Sequence, residues 1–280
     1  MTEHTPFLTV FPGCAARRDS CGGLDKAYIT DVQVNLAERR VTVSAWFPAM
    51  PSPVEEEALC ACLRDDYALN SVRLIPDYPQ YIDNFLKINP DGVIVELGCG
   101  LETTYFRHPN IKSSFYDLDL PEVIDYREKM IPLGEHQKLI KGDLFKKDWI
   151  EKIKSEIGNK PVLIVVGGVF HYFPRENVIS AIKNMLNFDK IELVFDALNS
   201  LGIKGIKKYM NDLGHSDTAM YFYVNDVNEF AKEIGPEVKV LEEIKYYSQT
   251  PKDGLDFWTK VQMSGADLFY MVKMIHLKLK

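Results

Sequence analysis

Residues 93–106, VIVELGCGLETTYF, decide how the chain is read. An apolar strand run ends in Glu96 and gives way to Gly98 and Gly100, with a helix expected beyond them. Glycines at such a place let the backbone turn sharply and approach a ligand with no Cβ in the way. A dinucleotide fingerprint would put a third glycine or an alanine at position 103 to cradle a pyrophosphate, and Thr103 stands there. An acidic strand end such as Glu96 would also repel phosphate. It suits a ligand with a cationic end, such as the methionine end of S-adenosylmethionine.

Working outward, FYDLDLPEVIDYR at residues 115–127 supplies the next element. A carboxylate at the tip of a second strand accepts from both ribose hydroxyls, and hydrogen bonds to an ionised acceptor are the stronger kind. Asp119 is at the tip. Asp117 faces the same side by strand alternation and is the second candidate. Asp119 can equally cap the helix opened by Pro121 and Glu122, a role compatible with ribose binding.

Strand runs are read at Gly92–Leu97, Ser114–Leu118, Lys138–Ile140, Val162–Val166, Ile191–Phe195, Val238–Tyr246 and Leu268–Lys278. Their alternation with amphipathic stretches predicts an α/β, doubly wound, Rossmann-like sheet. The last two runs, with no strong helix signal between them, are expected to pair antiparallel at the sheet edge.

The 280 residues, 46% hydrophobic, suffice for one large domain or a domain with an appendage. No run of eighteen or more apolar residues appears, and Met1–Phe11 lacks the basic-then-apolar order of a signal peptide, so a cytoplasmic location without membrane insertion is expected. The formal charge of −7 offers no broad attraction to nucleic acid and favours a small-molecule or peptide partner. Cys14, Cys21, Cys60, Cys62 and Cys99 show no C-x2-C zinc spacing, so reduced thiols and no metal site are expected. Cys99 reads as a small filler in the glycine turn rather than a reactive thiol.

Basic residues change type near residue 80. Residues 1–80 hold six Arg and one Lys, whereas residues 81–280 hold three Arg and 23 Lys. Four of the five cysteines also fall in the first part. The two parts read as a small α+β unit over 1–79, joined by fusion or assembly to a domain over 80–280, or as an ordinary two-domain chain with a chance bias. Within the first, Ile29, Val32, Val34 and Val41, Val43, Ala45 mark two strands around a turn at Glu38–Arg40. A helix from Pro53 with Leu59, Cys62 and Leu63 on one stripe follows, then a strand at Ser71–Ile75. The order of strand, RR turn, strand, P-x-x-EE helix, strand and PxYP resembles the N-terminal region of PolC-type bacterial DNA polymerase III α chains over roughly residues 5–79, which contain no catalytic motif.

GCGLETTYFR, YDLDLPEVIDYR and PVLIVVGGVFHYF, in that order, resemble the leucine carboxyl methyltransferase family. The resemblance spans about 200 residues and implies a seven-stranded class I methyltransferase fold and S-adenosylmethionine as cofactor. It also implies an acceptor among protein C-terminal carboxylates or the oxygens of polyketide-type small molecules. By position, it implies that Gly98 and Gly100 line the cofactor, that Asp119 takes the ribose, and that Asp143 and Leu144 of KGDLF contact the adenine. A carboxylate at Asp143 can accept from the adenine amino group, or simply cap the following helix. The family often places a glutamate where this chain has Gly167, and an arginine where it has Tyr78, just before Tyr81–Asp83. The resemblance therefore implies an altered grip on the cofactor's amine and carboxylate, and a cap over the site other than the family's own N-terminal helices.

Methyl transfer from a sulfonium is a direct displacement, so alignment and water exclusion dominate, and a carboxylate acceptor needs no base. His171 and Tyr172, directly after the fourth strand run of the domain, lie where an acceptor would sit, and a histidine there can take a hydroxyl proton at neutral pH. His171 can also be a packed loop residue. Asp196 is a weaker candidate on the same rim. The expected function is an S-adenosylmethionine-dependent O-methyltransferase. The rivals are a non-catalytic chimera that keeps the fold and a nicotinamide dehydrogenase, which lacks here its third glycine and its Y-x-x-x-K pair, since Met130 stands four residues after Tyr126.

Overall fold

The computed structural model describes residues 28–35, 40–46, 78–108, 111–205, 220–248 and 257–280. The chain divides into two compact units, Met1–Ile75 and Pro76–Lys280.

In the first unit, β1 (Tyr28–Asn35) pairs antiparallel with β2 (Arg40–Trp46). Ile29 lies opposite Ala45, Val32 opposite Val43 and Val34 opposite Val41, with the register shifting between Ile29 and Asp31. That shift is why apolar residues three apart on β1 can match residues two apart on β2. The helix expected from Pro53, the strand at Ser71–Ile75 and four of the five cysteines lie outside the described residues.

The second unit opens with helix α1 (Tyr78–Ile88). A seven-stranded sheet follows, built from β3 (Val93–Leu97), β4 (Phe115–Asp119), β5 (Gln137–Lys141), β6 (Val162–Val166), β7 (Ile191–Leu198), β8 (Lys239–Lys245) and β9 (Val272–Lys278). Its order is β5-β4-β3-β6-β7-β9-β8. The first five strands run parallel, β9 pairs antiparallel with β7, and β8 pairs antiparallel with β9. Crossover helices α2 (Pro121–Met130), α3 (Asp148–Ile157) and α4 (Arg175–Met185) connect the parallel strands. Two more helices, α5 (Val227–Ile234) and α6 (Phe257–Leu268), precede β8 and β9.

The central strands VIVEL and VLIVV are buried at every position, as expected of strands covered on both faces. Alternation sends Val93, Val95 and Leu97 into one core with Trp149, Ile153, Val178, Ile182 and Phe230. Ile94, Leu163, Val165 and Val194 face a second core with Tyr81, Ile82 and Phe85 of α1. Helix α3 shows the local logic: Asp148 and Glu151 in its first turn favour the positive end of the dipole, while Trp149, Ile150, Ile153 and Ile157 make its buried stripe. It stops at Gly158, whose φ of +63° is a conformation glycine adopts without strain. Asp226 caps α5 by accepting from the amides of Asn228 and Glu229 at 2.8 and 3.0 Å.

Two expectations need correcting. The last strand begins at Val272 rather than Leu268, because α6 fills residues 257–268. Ser264 and Gly265 interrupt its apolar pattern and hide it from a periodicity reading. The glycine turn after β3 leads into a 3-10 turn, Thr104–Arg107, rather than a full helix. Among the described residues no helix is long and apolar enough to cross a membrane.

Candidate active site

Strand order reverses at β3, which has β4 on one side and β6 on the other. In open parallel sheets the crevice outside the carboxyl ends of the strands at such a point is where ligands bind. The carboxyl ends of β3, β4, β5, β6 and β7 carry almost every residue singled out from the sequence.

At the end of β3, Gly98 has φ +66° and Gly100 φ +46°. A Cβ on Gly98 would collide with Cγ2 of Val169 from the loop after β6, whereas one on Gly100 would meet nothing within 4 Å. The amides of Gly98 and Cys99 both donate to the Leu118 carbonyl, at 2.8 and 3.2 Å, which draws the turn over β4. The Gly100 amide donates to Asp119 Oδ2 at 2.8 Å, and the Leu120 amide to Asp119 Oδ1 at the same distance. Asp119 is half-buried and its oxygens keep lone pairs for further donors. The Gly142 amide donates to the Asp119 carbonyl at 2.9 Å, bringing the turn after β5 alongside.

Asp117 does not share that position. Its side chain is completely buried, and its Oδ2 accepts from Arg127 Nη2 at 3.0 Å and from Gln137 Nε2. Arg127, itself buried, also donates through Nη1 to the Gly100 carbonyl at 3.0 Å. Burial pushes the Asp117 carboxyl up against the pull of Arg127, Gln137 and Glu96. Asp117 is thus a strut that ties α2 to the glycine turn, one pleat too deep for a ribose. Arg127 was missed by the sequence reading; the available signal was an arginine ten residues after Asp117 in a lysine-rich region. Glu96 is buried beside Asp117 in register and accepts from Thr104 Oγ1 at 2.6 Å, so it braces the turn. Cys99 is buried and its thiol is pushed far up by burial, then by the Asp117 charge, which suits a filler.

On the β5 side, half-buried Asp143 accepts through Oδ1 from the Phe145 amide at 2.9 Å, a local turn bond that does not use its other oxygen. The Leu144 side chain packs in the core beside Trp149, and its carbonyl accepts from Trp149 Nε1 at 3.3 Å.

Beyond β6, Gly167 and Gly168 are exposed, and Gly168 has φ +66°. The Gly168 amide donates to Asp196 Oδ1 at 2.7 Å, and His171 Nε2 lies 2.9 Å from Asp196 Oδ2. Asp196 lies within β7, which runs on to Leu198 rather than ending at Phe195. Burial pushes its carboxyl up, but the His171 charge and hydrogen bond and the Gly168 amide outweigh burial and hold it below the usual carboxylate range. His171 is buried in a short 3-10 turn, Phe170–Tyr172, and its carbonyl accepts from the Tyr221 amide at 2.8 Å. Tyr172 is 46% exposed. Its hydroxyl, and those of Tyr246 and Tyr247, are raised first by burial, with the Asp196 charge adding to each. All three therefore stay neutral at physiological pH. Sequence reading placed His171 and Asp196 on one rim; their bond needed the β6–β7 pairing.

Comparison with known proteins agrees with this geometry. Residues 79–186 match the leucine carboxyl methyltransferase family. A stretch of 94 residues is 29% identical to the tetracenomycin polyketide synthesis O-methyltransferase TcmP of Streptomyces glaucescens, covering 33% of this chain and 34% of that one. The match thus spans about a third of that relative's length. Among solved structures, a DUF574 family protein from Streptomyces avermitilis superimposes with a TM-score of 0.54 at 13% identity, over 83% of this chain and 93% of that one. A SAM-dependent methyltransferase from Anabaena variabilis does so with a TM-score of 0.50 at 14% identity, over 90% and 98%. The chain therefore carries, over residues 79–186, a leucine carboxyl methyltransferase-like segment set in the class I fold of S-adenosylmethionine-dependent methyltransferases.

Proposed function

We propose that the second unit is an S-adenosylmethionine-dependent O-methyltransferase acting on a carboxylate or hydroxyl of a small molecule or peptide. The observation that carries this reading is the turn after β3, where Gly98 and Gly100 take positive φ and Asp119 offers a half-buried carboxylate bonded to the Gly100 amide. These residues fit the cofactor: Asp119 would accept from the ribose hydroxyls, Asp143 from the adenine amino group, and Gly98 and Gly100 would let the backbone lie against the methionine portion. With Gly167 where relatives place a glutamate, backbone carbonyls around Gly167 and Gly168 would receive the amine. The cofactor supplies an electrophilic methyl group; the chain aligns it with an acceptor near His171 and Tyr172 and keeps water away. Tyr78, at the position of the relatives' arginine, leaves the cofactor carboxylate without that cation.

Residues 1–75, resembling a polymerase α-chain segment and differing in Arg and Lys usage, would then be a small unit of separate origin with no part in the chemistry. Thermal unfolding with S-adenosylhomocysteine or NADH tests the cofactor assignment. A ligand of the native state at a hundred times its Kd adds about 2.7 kcal/mol, so only S-adenosylhomocysteine should raise Tm. A rise with NADH instead would favour a dehydrogenase.

A further inference from the structure

Resting on the methyltransferase reading, we infer that the site recognises the thioadenosine half of its cofactor and leaves the amino-acid half almost unread. Thioadenosines that lack the amino acid, such as 5′-methylthioadenosine, are then ligands of nearly equal standing.

The two halves of the crevice differ in what they offer a ligand. On the β4 and β5 side, Asp119 and Asp143 are half-buried carboxylates, and their local bonds to backbone amides leave acceptor capacity over. Asp119 is held from both oxygens by the Gly100 and Leu120 amides, each at 2.8 Å. The Gly142 amide fastens the β5 turn to the Asp119 carbonyl at 2.9 Å. The nucleoside thus meets two acceptors whose positions are fixed before it arrives.

At the β3 and β6 turns, by contrast, the charged groups are engaged within the protein. Arg127, the cation that the described bonds bring to this end, is buried and divided between Asp117 and the Gly100 carbonyl. Glu96 is buried and accepts from Thr104, and Asp196 is buried between the Gly168 amide and His171. Glu102 interacts within the protein as well. Backbone donors are committed too: the Gly98 and Cys99 amides go to the Leu118 carbonyl, the Gly100 amide to Asp119 and the Glu102 amide to the Cys99 carbonyl. Gly167 and Gly168 are exposed and bring no side chain. An ammonium and a carboxylate gain little by leaving water unless an opposite charge offsets their desolvation. Here they meet neutral carbonyls and solvent, and a neutral hydrogen bond is worth only about two- to tenfold in affinity.

Calorimetric titration of the full chain with S-adenosylhomocysteine and with 5′-methylthioadenosine tests this, because the two ligands differ only beyond the sulfur. The Kd values are expected to lie within about tenfold of each other, the scale of neutral hydrogen bonds. A wider gap in favour of S-adenosylhomocysteine would overturn the inference while leaving the methyltransferase reading intact. Binding of neither ligand would sink that reading, and the inference with it. Asp119→Ala should weaken both ligands alike, and a loss confined to S-adenosylhomocysteine would place Asp119 at the amino-acid end and contradict the division. Gly167, unlike Gly168, does not take a positive φ, so its backbone accepts a side chain. Gly167→Glu supplies the missing charge and should widen the gap between the two ligands by about tenfold or more. A gap unmoved by that carboxylate would mean that the amine is held elsewhere, which would also overturn the inference.

Discussion

The turns after β3 and β6 use the same backbone device for different ends. In each, a glycine of positive φ donates its amide to an aspartate on the next strand: Gly100 to Asp119 at 2.8 Å, and Gly168 to Asp196 at 2.7 Å. The difference lies in the second oxygen. Asp119 gives it to the neighbouring Leu120 amide and stays half-buried at the rim, whereas Asp196 is buried and gives it to His171. A carboxylate left accessible can bind a ligand; one closed onto an imidazole can only prepare another group. On the proposed reading, the same turn serves binding on one side of the switch point and chemistry on the other.

The β3 turn has a brace that the β6 turn lacks among the described residues: Arg127, linking Asp117 to the Gly100 carbonyl. Arg127→Met leaves Asp117 buried without its cation, and equilibrium urea unfolding should show a loss of about 3–5 kcal/mol. A loss below about 1 kcal/mol would mean that the strut is ornamental. Gly98→Ala combines left-handed strain of about 1–2 kcal/mol with overpacking against Val169 of about 1–3 kcal/mol. Gly100→Ala and Gly168→Ala meet nothing within 4 Å and should each cost only the strain, about 1–2 kcal/mol. Equal costs for those two would support the equivalence of the turns, and a marked inequality would break it.

Much of this comparison was legible in the sequence. The glycines, the strand tips and the acidic residues are local features, and VIVEL and VLIVV announce covered parallel strands. What could not be read was depth and partnership. Asp117 and Asp119 share a strand face by parity, yet one pleat of depth and an arginine reaching back from α2 turn the first into a strut. The dyad required β6 and β7 to be neighbours, and α6 was hidden by Ser264 and Gly265. The Leu144 side chain lies in the core, a depth that the KGDLF motif alone does not disclose.

Acid titration separates the two turns more gently. Asp196 is held below the ordinary carboxylate value of 3.8, so its pairing stabilises the fold fully above that value, and the benefit disappears as pH falls through the lower folded pKa. The stability difference between wild type and Asp196→Asn should therefore be constant near neutrality and narrow only below about pH 4. A difference that grows on acidification would reverse the sign of that coupling.

Calorimetric titration of S-adenosylhomocysteine into the wild-type chain, Asp119→Ala and Asp196→Asn tests the central assignment most directly. Loss of a charge-assisted ribose contact should weaken binding to Asp119→Ala by about 1.5–3 kcal/mol, roughly ten- to more than a hundredfold, while Asp196→Asn binds within a few-fold of wild type. Unchanged affinity in Asp119→Ala, or an equal loss in both variants, would contradict the division of labour between the two turns.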